Sequence, residues 1–151
     1  MLRLLLAAFF LCGSFLSAPA ALADTTSPLG LWLINDRQAV IDITSCGTGI
    51  CGRIAGITLN HPTDPTPRDW RGQPQCGDAM LAMTPVPGTP DKWRGTVTDP
   101  RNGNIWSATL RLVDGSLLLH GYVALPLFGQ TQSWPRYTGQ IFASCLFTAA
   151  G

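Results

Sequence analysis

The segment Cys46-Gly47-Thr48-Gly49-Ile50-Cys51-Gly52-Arg53-Ile54 limits the folds open to this chain more than any other. It joins a glycine-rich turn to two closely spaced cysteines and then to a β-like run. That combination predicts a small exported β domain stapled by disulfides. It says nothing about substrate chemistry.

Export is read from the other end of the chain. Residues 1–23 have the form of a Sec-type secretory signal: Arg3, then a nearly continuous apolar run from Leu4 to Leu16, then Ala21-Leu22-Ala23 as a small-x-small cleavage site. The apolar run is shorter than the about 20 residues a membrane span needs, and no later stretch supplies one. Cleavage after Ala23 predicts a mature domain over residues 24–151, periplasmic or secreted, with Cys12 discarded and no membrane span left. Loss of Arg3 leaves nine basic residues against nine acidic ones. A neutral chain with scattered arginines has no electrostatic footprint for nucleic acid. Every acid is Asp and Lys92 is the only lysine, a composition that leans away from helix.

Four cysteines then remain, Cys46, Cys51, Cys76 and Cys145. An even number in an exported domain reads as two disulfides, with three possible pairings. The glycine turn favours Cys46–Cys51, which leaves Cys76–Cys145. Zinc fits poorly, because Cys-x4-Cys is a loose spacing and His61 and His120 are not spaced as ligands. Neither a metal nor a cofactor is expected.

Turn signals recur about every ten residues, the all-β rhythm. Strands are expected over Leu29–Ile34, Ala39–Ile43, Ile50–Leu59, Ala79–Met83, Lys92–Thr98, Asn104–Leu112, Leu117–Val123 and Gln132–Tyr137. The four prolines between Asn60 and Gly77 predict a loop there with little structure of its own. Eight short strands in sequential order predict an all-β, antiparallel up-and-down barrel, because closure removes exposed edges. A barrel of this size has room for its own side chains or for one small ligand.

An ordered set of short strings carries a family resemblance. They are Gly30-Leu31-Trp32, the Cys46–Ile54 unit, Pro74-Gln75-Cys76-Gly77, Trp93-Arg94-Gly95, Asp99-Pro100-x-x-Gly103, Gly121-Tyr122 and Phe128-Gly129-Gln130-Thr131-Gln132-Ser133-Trp134-Pro135-Arg136. Together they resemble the bacterial exported family catalogued as domain of unknown function 2147. The resemblance spans Gly30 to Arg136. It implies a compact, lipocalin-like β-barrel and brings no activity with it. Three positions depart from the family's pattern: Thr98 replaces a usual aromatic, and Gln130 and Gln73 each replace an Arg.

Catalytic groupings are sparse. Asp42 and Asp99 are the carboxylates nearest to a pair, but Asp99 starts a turn. His120 alternates with Leu119 and is expected to face away from the Leu117/Leu119 side. No Gly-x-Ser-x-Gly elbow or phosphate loop is present. Of the five tryptophans most are expected in the core, with Trp70, in the proline-rich loop, the exception. These features favour non-catalytic binding of a small amphipathic or apolar ligand in the cell envelope. A protein-interaction or inhibitor module acting on an envelope protein is the alternative, and a cell-wall-related enzyme a weaker one. A ligand pocket is expected at one barrel end, ringed by Trp70, Arg71, His120 and Tyr122. The lipocalin-like resemblance implies closure of the other end by Gly30, Trp32 and Arg136, with the Arg136 guanidinium over the Trp32 indole.

Overall fold

The computed structural model describes residues 26–124, 127 and 129–147. The signal expected over residues 1–23 and Phe128 of the last family string lie outside them. Eight strands follow one another around a single antiparallel meander: β1 (Gly30–Leu33), β2 (Ala39–Cys46), β3 (Gly49–Ile57), β4 (Ala79–Pro85), β5 (Lys92–Thr98), β6 (Ile105–Val113), β7 (Ser116–Tyr122) and β8 (Gly129–Pro135). Each strand alternates its side chains across the sheet. Ile41 and Ile43 on β2, Leu81 and Met83 on β4, Ala108 and Leu110 on β6, and Leu117 and Leu119 on β7 turn inward into one buried core. The expected strands match in number and order. The last begins earlier than expected, at Gly129, and Tyr137 leaves the sheet to join a second cluster.

The meander would leave β1 and β8 as free edges. Trp32 bridges to Arg136, and the Tyr137 amide donates to the Leu31 carbonyl at 2.9 Å, which draws the two edges together. The Arg136 guanidinium carbon lies 4.3 Å from the centre of the Trp32 ring. Its Nη1 donates to the Leu29 carbonyl at 2.9 Å and its Nη2 to the Ser27 carbonyl. Gly30 sits beneath this group with φ +113, and a Cβ there would stand 3.2 Å from Nη1. Trp32 is fully buried and its indole N–H donates to the Pro28 carbonyl at 2.8 Å. Trp134, one strand over, is equally buried and donates to Gln132 Oε1 at 2.9 Å. Two buried indoles with satisfied N–H groups, one of them capped by the guanidinium, therefore fill this end of the barrel.

Cys46–Cys51 spans the β2–β3 turn at the same end, with Cα atoms 5.8 Å apart. Cys76–Cys145 joins the long β3–β4 loop to the C-terminal segment, with Cα atoms 6.2 Å apart. That segment lies on the outer face of β1–β3. Tyr137 and Phe147 pack edge to face there, at 5.2 Å, against Leu33 and Val40.

The segment expected to be a loop with little structure of its own carries no regular strand or helix, but an internal hydrogen-bond network organises it. Asp69 lies at its centre with a fully buried carboxylate, which accepts from the amides of Arg71 (2.9 Å) and Gln73 (2.7 Å) and from Arg71 Nε (2.6 Å). The Asp69 amide donates to the Gln73 carbonyl, and Gln75 Nε2 donates to the Arg68 carbonyl. Prolines exclude regular strand here, but one buried acid supplies the acceptors that a ladder would otherwise provide.

Loop-closure entropy ranks the two bridges. Cys76→Ser with Cys145→Ser should lose about 4 kcal/mol in urea unfolding, and Cys46→Ser with Cys51→Ser about 2; equal losses would refute that origin. Arg136→Lys keeps the charge but loses the planar stack, and should lower stability by about 0.5–2 kcal/mol. A variant that melts with the parent would show that the stack does not hold the edges.

Candidate functional site

Strand direction sorts the barrel into two unlike ends. The filled end carries the β2–β3, β4–β5 and β6–β7 turns. The opposite end carries the β1–β2, β3–β4, β5–β6 and β7–β8 connections, and there the interior opens into a cavity of about 590 Å³. Pockets for small molecules commonly fall in this range of volume.

The inner wall is apolar: Ile54, Ile57, Met80, Val97 and Trp106. Two bulges produce it. At the first, Val40 pairs with Gly56 and Ile41 with Ile54, so Ala55 is the extra residue and both Ile54 and Ile57 reach the core. At the second, Gly52 pairs with Leu81 and Arg53 with Ala79, which leaves Met80 unpaired and directed to the cavity. Bulges re-aim side chains in this way beside binding sites. Trp106 shares the inward register of Ala108 and Leu110, but it lies at the strand's open end and stays partly exposed.

Polar groups form the rim, among them Asp36, Gln38, Gln75, Gln130 and the Asp99/Arg101 pair. Asp99 accepts from Arg101 Nε (3.0 Å), Arg101 Nη2 (2.9 Å) and the Arg101 amide (2.9 Å). The hydrogen bond from the Arg101 side chain is the main reason the Asp99 carboxyl titrates below its ordinary value. The guanidinium is correspondingly raised by Asp99, with a smaller contribution from Asp36.

The four residues expected to ring the pocket fall into two separate pairs, His120 with Tyr122 and Trp70 with Arg71. Tyr122 borders the cavity. His120 does not: it points outward from β7, where its Nδ1 lies 2.8 Å from Thr131 Oγ1 and its ring 5.8 Å from that of Tyr122. Strand parity turns His120 outward, since Leu119 takes the inward position beside it; Tyr122 shares that parity but ends the strand at the open end, where it reaches the cavity edge. Trp70 and Arg71 stand on the long loop, the guanidinium carbon 5.5 Å from the indole, outside the cavity lining. Trp70 packs instead on the β5–β6 turn at Gly103, where φ is +76 and a Cβ would come within 2.9 Å of the indole. Asp42 faces out from the middle of β2 and does not pair with Asp99. The inward-facing residues of the open end were missed by sequence reasoning. Strand alternation, combined with which end each strand finishes at, is the signal that finds Val97 and Trp106; the bulge that delivers Met80 leaves none.

The family strings divide along the same axis. Gly30-Leu31-Trp32 and Trp134-Pro135-Arg136 build the filled end, while Asp99-Pro100 and Gly121-Tyr122 border the mouth. The match to the family described as "Uncharacterized protein conserved in bacteria (DUF2147)" covers residues 30–136, the stretch that forms the barrel. The chain belongs to this family. No curated protein matches it. Among solved structures it is similar to protein HP1028 from the human pathogen Helicobacter pylori, which belongs to the lipocalin family. The two share a TM-score of 0.57 and 8% identity, over 83% of this chain and 93% of that one. At that identity the likeness concerns the fold, a lipocalin-like barrel. Of the three positions expected to differ from the family's pattern, Thr98 and Gln130 border the cavity and Gln73 does not.

Asp69 makes the long loop sensitive to acid. Burial by itself would raise its pKa, but the Arg71 side chain and the amides of Gln73 and Arg71 outweigh that and hold it below its ordinary value. A depressed carboxyl contributes stability that is complete above the unfolded pKa of about 3.9 and is lost as pH falls through the lower folded value. Acid titration followed by tryptophan emission should show loop release below pH ~4, and Asp69→Asn should already be loosened at neutral pH and lack that acid step. An identical acid transition in the variant would contradict this role.

Proposed function

We propose that this protein binds a small amphipathic molecule, without catalysis, in the open end of its barrel, and that it does so as an exported protein of the bacterial cell envelope. The observation that carries the reading is the asymmetry of the interior: side chains fill one end, and the other holds a cavity of about 590 Å³ with an apolar wall and a polar rim. An apolar chain against Ile57, Met80, Val97 and Trp106 would leave water, and a head group would stay at the rim. Two disulfides agree with an oxidising compartment.

The rim also narrows the head group. Its arginine is engaged by Asp99, and the positions expected to differ from the family's pattern present Thr98 and Gln130. The remaining polar residues are amides, Thr58, Tyr122 and the Asp36 carboxylate, which suit a neutral or cationic head better than an anionic one. Binding is favoured over catalysis because Asp99 and Arg101 are committed to each other and His120 lies on the outer face. The alternative, a protein-interaction or inhibitor module, draws its support from the exposed Trp70 on the long loop.

Native mass spectrometry of protein purified from its own envelope separates these readings. A copurifying small molecule supports the pocket; a stoichiometric second protein with an empty pocket overturns it. A neutral apolar fluorophore such as N-phenyl-1-naphthylamine should bind and accept energy from Trp106. Val97→Asp should weaken its binding about tenfold or more while leaving the circular dichroism unchanged. Undiminished binding would exclude this cavity as the site.

A further inference from the structure

We propose that the open end of the barrel docks on the surface of a lipid bilayer. This goes beyond ligand binding, and only its transfer route rests on that reading. Large apolar side chains lie exposed around the mouth: Trp70 is 58% exposed, Ile105 69%, Trp106 39% and Val123 63%. They form one run. Trp70 packs on Gly103, Ile105 and Trp106 open β6 two residues later, and Val123 follows Tyr122, which pairs with Ser107. Scattered exposed hydrophobics are ordinary on a protein surface, but a contiguous collar at one end marks a docking face.

Charge and continuity choose the occupant. The ionic groups flanking the collar come with both signs: Arg71 bonds Asp69 and Asp78, Arg101 bonds Asp99, and Asp36 is followed by Arg37 in the β1–β2 connection. Such a face offers little net charge to a charged partner and suits a neutral, zwitterionic surface. Tryptophan beside aliphatic residues is the composition that settles at a membrane–water interface. Trp106 and Val123 belong both to the collar and to the cavity wall. A single-chain amphiphile could therefore pass from the bilayer into the barrel without crossing water. A protein partner would need no such continuity.

The test is flotation of the exported protein with dioleoylphosphatidylcholine vesicles carrying brominated chains. The parent should float, and the bromines should quench the exposed indoles Trp70 and Trp106 but not the buried Trp32 and Trp134. Flotation should persist in about 0.5 M NaCl, where surface charges are screened. Ile105 lies outside the cavity, so Ile105→Asp should reduce partitioning about tenfold or more while N-phenyl-1-naphthylamine binding without vesicles stays unchanged. A parent that does not float, flotation lost in salt, equal flotation of Ile105→Asp, or a collar-dependent protein complex in place of flotation would each overturn the proposal. Fluorophore binding in solution is scored separately, so loss of the pocket reading and loss of the docking reading are told apart.

Discussion

Eight strands in a meander leave two unpaired edges, and a single guanidinium draws them together. Arg136 lies over the Trp32 ring while its nitrogens reach the carbonyls of Leu29 and Ser27, so one side chain both covers an indole and ties down the segment that leads into the first strand. An arginine suits this position because its planar, weakly hydrated cation can stack and donate in several directions at once. The glycine below it is part of the same device, since a side chain there would crowd the guanidinium. Without this junction the sheet would curl but not close, and its interior would have no ends to differ from each other.

That difference organises the rest. Trp32 and Trp134 fill one end, so the volume that remains lies at the other. Two bulges in the neighbouring strands rotate Ile57 and Met80 toward that space. The long loop borders it through Pro67 and Gln75, held by the buried carboxylate of Asp69. Packing, register and buried electrostatics thus each contribute to one mouth.

Much of the fold was legible in the residues. Alternation in Lys92–Thr98 and in the β6 run, the Asp114-Gly115 turn and the glycine turn between Cys46 and Cys51 are local signals, and they locate strands because strand periodicity is local. The pairing of Trp32 with Arg136 was legible through a recurrent pattern rather than through local chemistry. The candidate site was far less so. A polar-and-aromatic mixture pointed to Trp70, Arg71, His120 and Tyr122, yet only Tyr122 borders the cavity. His120 is turned outward by the parity that buries Leu119, and Trp70 is held by a turn distant in the chain. The order within the proline-rich loop was hidden because it rests on one Asp rather than on a repeating pattern.

The Cys76–Cys145 bridge bears on the order in which the molecule is made. Cys145 lies beyond Arg136 and outside all eight strands, so pairing of the strands does not require the bridge. A barrel can therefore shut while the loop beside its mouth is still untethered. The bridge would then fix the last boundary of the cavity in an oxidative step, chemically distinct from the pairing of the strands. In a cell that exports the chain before oxidising it, the finished mouth would first exist on the far side of the membrane.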